Sequence, residues 1–340
     1  MITVALDAMG GDHAPAATVQ GALDALGDFP DLSLLLVGRE EAVRAHLKGA
    51  WDPARLRIEH TAEVVGMNDH AAESLRQKQT SSIARCAELV REGKAQALVA
   101  AGNTAAAVGA ARLAFGRLEG VRRPGIAVTF PTVAGHPCVV MDGGASVDCK
   151  PEHLQQFAVM ASAYAERVLG IREPRVGLLS IGEEEAKGNA LTREALPLLR
   201  EAPVRFIGNA EGRDVFSGKF DVIVCDGFVG NVLLKASEGL GEGIGQILQE
   251  EMRQSLLRRL GAVCCLPALR GLKRRIDYAE YGGMPLLGVK GGCLIAHGRS
   301  DARAIRNALR AAREFVEADV NRRIVEGVSA LRALPSGEEA

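Results

Sequence analysis

The chain has 340 residues, with 41 Lys and Arg against 42 Asp and Glu, a net charge of −1. That balance argues against a general nucleic-acid binder, and at 4% aromatics there are few rings on which bases could stack. Hydrophobic residues make up 47%, enough for a large core in one domain or two intimate lobes.

The first strand-like run is 2–6. It ends in Asp7-Ala-Met-Gly10-Gly11-Asp12-His13, and Pro15 sits in the first turn of a helical pattern at 14–26. A run at 32–37 and a helical pattern at 73–91 follow. The run 97–100 ends in Ala101-Gly102-Asn103-Thr104 and meets an alanine-rich helix at 104–115. Runs 126–130 and 138–141 come next, the second ending in Asp142-Gly143-Gly144. A helical pattern at 152–169 leads to the run 176–181. That run gives way to Gly182-Glu183-Glu184-Glu185-Ala-Lys187-Gly188-Asn189 before a helix at 191–200. Short runs at 204–207 and 222–225 follow. The latter meets Asp226-Gly227-Phe228-Val229-Gly230-Asn231 and a helical pattern reaching 259. The run 293–296 ends beside His297, and 301–328 is the last helix.

This alternation predicts a three-layer αβα sandwich with a mostly parallel sheet. No linker marks a boundary, so 1–334 reads as a single catalytic α/β unit and 335–340 as a frayed tail. Seven cysteines without C-x-x-C spacing suggest neither a zinc site nor a thioredoxin-like motif. The odd count, with no signal-peptide pattern, predicts reduced thiols in a cytosol. No apolar stretch approaches the roughly 18 residues of a spanning helix.

Ligands of such folds collect at the carboxyl ends of strands. Glycines there bring backbone N–H groups close to a ligand, and a following helix start adds free donors and a positive dipole end. Each junction alone is equally a capped turn. Five of them together predict a polar, anion-accepting cleft, with Asp12, His13, Asn103 and Asn231 in one place. G-x-x-x-x-G-K-[ST], G-x-S-x-G and H-E-x-x-H are all missing, and Gly239, Gly241 and Gly243 lie inside a helical pattern rather than after a strand. His297 reads best as a turn residue.

The stretches "DAMGGDHAP", "AGNTAA", "DCKPEHLQQFAVM", "EEAKGN", "DGFVGNVLLK" and "YGGMPLLGVKGGCLIAHGRSDARAI" span nearly the whole chain. In this order they resemble the bacterial acyl-carrier-protein-dependent phosphate acyltransferases of phospholipid synthesis. Mild departures fall at Ser146, Ser180, Glu183 and Met284.

The resemblance implies a fold like that of the isocitrate and isopropylmalate dehydrogenases, a homodimer, and no cofactor or metal. It implies transfer of a fatty acyl group from acyl-carrier protein to inorganic phosphate. The acyl phosphate would feed a membrane glycerol-3-phosphate acyltransferase. It points to Lys187, Asn189, Asp226 and Asn231 as catalytic. Substrate would be met by Gly10, Gly11, Asp12, His13, Asn103, Thr104, Gly227 and Gly230, the last two letting the backbone approach phosphate or thioester. Two rival readings are an isopropylmalate-type nicotinamide oxidoreductase and a non-catalytic membrane-surface scaffold of lipid synthesis.

The segment 253–276 holds Arg253, Arg258, Arg259, Arg270, Lys273, Arg274 and Arg275 and no acid before Asp277. An apolar stretch, 260–269, lies between these cations. Gly261 and Pro267 predict a break between two short helices. The segment reads as a protruding amphipathic hairpin. Val263 and Leu266 at its tip would enter an anionic membrane at the inner face, and its cations would meet lipid headgroups or the acidic carrier protein. A dimer-interface hairpin is the alternative.

Overall fold

The computed structural model describes residues 1–49, 51–276 and 282–333. The expected frayed tail at 335–340 lies outside the described residues. One sheet of 11 strands carries the molecule. In spatial order it begins with β3 (Leu56–His60), β2 (Leu32–Gly38), β1 (Ile2–Asp7), β4 (Ala97–Ala100) and β11 (Gly292–Ile295). It continues through β10 (Met284–Leu287) and β5 (Gly125–Phe130) to β6 (Cys138–Met141), β9 (Val222–Val224), β7 (Arg175–Leu179) and β8 (Arg205–Ala210).

The strands β1, β4, β6, β9 and β11 are apolar or small-residue runs buried along most of their length, as strands covered on both faces must be. Helices cover both sides. On one face lie α3 (Ala71–Gln77), α4 (Ser82–Arg91), α5 (Thr104–Ala114) and α8 (Gly227–Arg253), over Ile126, Val128 and Ile295. The other face divides between two groups. There α1 (Ala16–Asp28), α2 (Glu40–His46) and α10 (Ala302–Glu317) cover β1, β2, β4 and β11. Beside them α6 (Pro151–Arg167), α7 (Ala190–Glu201) and α11 (Val320–Ala333) cover the far strands. The expected three layers and mostly parallel sheet are observed.

Strand direction decides where sites form. The block β3-β2-β1-β4-β11 is parallel throughout, and so is β6-β9-β7-β8. Between them β10 is antiparallel to β11 and to β5, and β5 is antiparallel to β6. The two blocks therefore run in opposite directions. Their carboxyl ends emerge at opposite edges of the sheet. The expectation that Asn103 and Asn231 share one strand-end cleft is corrected by this reversal, because β4 and β9 point opposite ways.

The basic segment also differs from its reading. Its two helices meet at 254–255, not at Gly261 or Pro267: α9 (Leu256–Ile276) starts after Ser255, whose hydroxyl accepts from the Arg258 N–H at 3.2 Å. Pro267 lies inside α9. The segment is thus the end of the long α8 followed by α9, and the stretch 260–269 lies inside a helix rather than at a tip. Val263, Leu266, Arg258 and Arg259 are exposed. The side chains of Lys273, Arg274 and Arg275 lie outside the described residues.

Candidate active site

At the edge where β6, β9 and β7 end, Asp142 organises a turn. Its Oδ1 accepts from the N–H groups of Ile126 (2.8 Å), Gly144 (3.0 Å) and Ala145 (3.0 Å), and its Oδ2 from Ser146 (2.6 Å). Burial raises its carboxyl above the usual value, and the backbone donors oppose that shift. The start of α8 sits against this turn. Gly227 N–H donates to the Ser146 carbonyl at 2.9 Å. A Cβ at Gly227 would come within 2.6 Å of Asp142 Oδ2, and one at Gly230 would overlap the Asp142 carbonyl oxygen. These two glycines bring helix and turn together, and the Asp142–Ser146 backbone fills the space expected for a ligand. Asp226 caps α8, accepting from Val229 N–H at 3.0 Å. Asn231 is exposed, one turn in, next to Gly144.

The adjacent strand β7 contributes the loop 180–189 to the same edge. Lys187 is exposed there. Asn189 caps α7, accepting from Thr192 N–H at 2.9 Å. Glu183 pairs with Lys219 at 2.8 Å, and this hydrogen bond holds its carboxyl below the usual range. The structure therefore gathers Lys187, Asn189, Asp226 and Asn231 at one edge.

The opposite edge gathers the rest. Asp7, its carboxyl raised by burial, accepts from Met9 N–H at 3.1 Å. Gly10 lies so close that a Cβ would fall 2.8 Å from Asp7 Oδ2 and 2.9 Å from the Gly102 nitrogen. Gly11 has φ +102°, a conformation that favours glycine. Asp12 N–H donates to the Gly298 carbonyl at 2.8 Å, tying the end of β1 to the loop after β11. Asp12, His13 and Thr104 are exposed. Asn103 caps α5 through Ala106 N–H (3.0 Å), and its amide donates to the carbonyls of Met67 (3.1 Å) and Asp69 (3.0 Å). Its side chain anchors the 66–69 loop.

A cleft lies under α8. Its floor is Val128, Leu234, Met284 and Ile295; His297 and Glu238 stand in its wall. From Asp226 to Glu238 the helix advances about 18 Å, at 1.5 Å per residue. His297, read from sequence as a turn residue, is half-buried here. Burial lowers its pKa, favouring the neutral ring near neutral pH. Asp142, His297 and Glu238 were absent from the expected site residues. Asp142 and His297 stand at the carboxyl ends of apolar strands, which is the signal that could have found them. Glu238 had none, since it lies mid-helix.

A glycine-rich strand-end edge at a helix start, an exposed lysine on that edge and a cleft with an apolar floor farther along α8 suit transfer of an apolar acyl group to an oxyanion. Solved structures share the fold. A phosphotransacetylase from Streptococcus pyogenes superposes with a TM-score of 0.62 at 16% identity, covering 93% of this chain and 94% of that one. A 4-hydroxythreonine-4-phosphate dehydrogenase from Klebsiella pneumoniae gives 0.50 at 13% identity, covering 94% and 99%. The class is thus the dehydrogenase-like α/β fold that phosphotransacetylases also use. Within it, the family model described as "Fatty acid synthesis protein" matches residues 2–323. A phosphate acyltransferase from Pelotomaculum thermopropionicum is 52% identical over 92% of this chain and 91% of its own length. The chain belongs to this family, an acyltransferase family.

Proposed function

We propose that this protein transfers a fatty acyl group from the thioester of acyl-carrier protein to inorganic phosphate. The supporting observation is the edge at the start of α8, where the exposed Asn231 stands beside the Asp142 turn and the loop after β7 carries the exposed Lys187, on a chain of this family. Lys187 and the dipole of α8 hold phosphate, with Asn231 as a hydrogen-bond donor. Asp226 and Asn189 keep the two helix starts in place. Phosphate is itself the nucleophile. An oxygen of hydrogenphosphate attacks the thioester carbon, the C–S bond breaks, and the proton of the phosphate ends on the departing thiol. The product is acyl phosphate. Catalysis rests on positioning and on stabilising the oxyanion.

Gly10, Gly11, Asp12, His13, Asn103 and Thr104, at the opposite strand-end edge, meet the acyl donor. No bound metal or organic cofactor is required by this chemistry. The oxidoreductase alternative shares the fold but not the family. The test is incubation with hexadecanoyl-carrier protein and phosphate, followed by hydroxylamine. Hydroxamate that forms only with phosphate present supports the reading; its absence contradicts it.

The exposed apolar side chains of α8 and α9 support two further parts of the proposal. Leu240, Ile244 and Ile247 on α8, with Leu260 and Val263 on α9, are exposed. A homodimer buries part of this surface. The remainder, with Arg258 and Arg259, meets the inner face of an anionic membrane or the acidic carrier protein. Acyl phosphate is then handed to a membrane glycerol-3-phosphate acyltransferase. Among the described residues no helix is long and apolar enough to cross a membrane, so membrane contact in this reading is peripheral.

A further inference from the structure

The loop 180–189, which carries Lys187, joins β7 to α7, and each of its three glutamates is tied down. Two of the ties are ion pairs at the surface: Glu183 with Lys219 at 2.8 Å, and Glu185 with Arg200. Exposed pairs of this kind constrain a loop weakly. The third tie comes from below. Asn209 on β8 is 7% exposed, and its amide nitrogen donates to the Glu184 carbonyl at 3.0 Å. The same carbonyl accepts from the Lys187 N–H at 3.0 Å, closing the turn that presents Lys187.

An irregularity in β8 puts Asn209 there. β7 pairs with β8 through Val176 and Phe206, then through Gly177 and Gly208, so Ile207 is an extra residue in a β-bulge. Gly208 takes φ +115°, a conformation that favours glycine. Side chains alternate along a strand, so Phe206 and Ala210 would share a face if β8 were regular. They do not. Phe206 packs on the core under α6 and α7, with Leu178 and Leu199. Ala210 belongs to the core of the opposite face, with Phe220 and Ile223. The extra residue flips the end of the strand, and Asn209 thereby faces the side of α7, into which the loop leads. A buried amide is costly unless it is hydrogen-bonded, and here its bond goes to the loop.

We propose that Asn209 positions Lys187 for phosphate, its amide fixing the Glu184 carbonyl on which the Lys187 turn closes. This rests on the phosphate role of Lys187 proposed above. Asn209 is a positioning residue: it acts through the turn and not by touching substrate. The bulge in β8 is then part of the design of the site, although β8 is the edge strand of the sheet.

The experiment combines Asn209→Ala and Asn209→Asp with Lys187→Ala, read in two ways. Both changes at 209 remove the donor, and an ionised Asp keeps the shape of the amide. Circular dichroism and thermal melts check folding, and Asn209→Ala carries the test if the Asp variant does not fold. Trypsin cuts after Lys187, and a held loop is cut slowly. Cutting of the native protein after Lys187 should rise about fivefold in either variant, the worth of one neutral hydrogen bond, with cutting elsewhere unchanged. The KM for phosphate should rise about fivefold while the KM for hexadecanoyl-carrier protein holds. Added to Lys187→Ala, either variant should cost nothing further. Cutting after Lys187 at the wild-type rate overturns the assignment, and so does cutting that rises equally across the chain. An equal loss on the Lys187→Ala background overturns it too, because Asn209 then acts elsewhere. So does an unchanged KM for phosphate in the 209 variants where Lys187→Ala raises it. The parent reading fails separately. If Lys187→Ala leaves the phosphate kinetics unchanged, Lys187 does not hold phosphate, and the cutting rate alone decides whether Asn209 holds its turn.

Discussion

Asp142 has no exposure to solvent and accepts four backbone N–H groups. Asp142→Asn keeps its shape but turns an NH2 toward at least one of those donors. Losing one charged hydrogen bond and stranding an N–H costs roughly 2–3 kcal/mol. Urea unfolding should show that loss, and a midpoint equal to wild type would remove Asp142 as the organiser of the turn. Lys187 is the contrasting case, exposed and outside any packed core. Lys187→Ala should leave the melting temperature unchanged and lower kcat/KM for phosphate at least tenfold, about 1.4 kcal/mol of transition-state stabilisation. Steady-state kinetics with phosphate varied is the check, and unchanged values in a folded variant would end the assignment. Lys187 stood out in sequence as a lysine beside glycine at a strand end, and that placement and its exposure are what the structure shows. At Asn103 a helix cap and a ligand-binding amide look alike in sequence; the structure shows the cap and gives the amide the carbonyls of Met67 and Asp69. Asp142 stood in a quoted glycine cluster, but its part depends on N–H groups as distant as Ile126.

At the scale of elements, α8 does most of the positioning. Its start rests on the Asp142 turn, and three turns later it walls the cleft. Gly230→Ala places a methyl into the Asp142 carbonyl. Overpacking of this kind costs about 1–3 kcal/mol and should shift the start of α8. The variant should melt earlier and lose activity together; full activity at an unchanged melting temperature would show that the contact is unimportant. The neighbouring β7 is tied to the start of β9 by Arg175, which forks onto Asp221 with Nε–Oδ2 2.8 Å and Nη2–Oδ1 2.9 Å. Burial alone would raise the Asp221 carboxyl. Arg175 overrides it, so the group sits below 3.8. A depressed carboxyl adds stability that is present above its unfolded value of 3.8 and lost as pH falls through the folded value. Arg175→Leu should therefore lower stability by about 3 kcal/mol at pH 7. That gap should close in acid, once Asp221 is protonated. A gap that persists in acid would place the effect in packing rather than charge. The buried strands and their order along the chain were legible from apolar runs. β3 and β10 were missed, because Leu56–His60 alternates with charge and Met284–Leu287 holds a proline. The break before α9 was misplaced because Gly261 and Pro267 are louder signals than a single serine cap.

At the scale of the whole molecule, sheet direction matters most. No local pattern announces that β10 and β5 reverse the sense of half the sheet. One strand-end cleft was therefore the natural expectation, and the result is two edges, with α8 starting at one of them and running to Glu238 beside His297. The same scale holds the exposed surface of α8 and α9. Val263→Asp with Leu266→Asp should release the protein from anionic vesicles on flotation and leave turnover of soluble acyl-carrier protein within twofold. Equal flotation of the double variant would exclude membrane contact at this face, and a monomer by light scattering would assign it to the dimer.

The central claim is that phosphate itself attacks the thioester. Hexadecanoyl-carrier protein incubated with fully 18O-labelled phosphate tests it by mass spectrometry of the acyl phosphate. The predicted result is one free thiol for each acyl phosphate, with all four phosphate oxygens still heavy, including the one that bridges carbon and phosphorus. Thiol released without phosphate, or a bridging oxygen that is light, would contradict it.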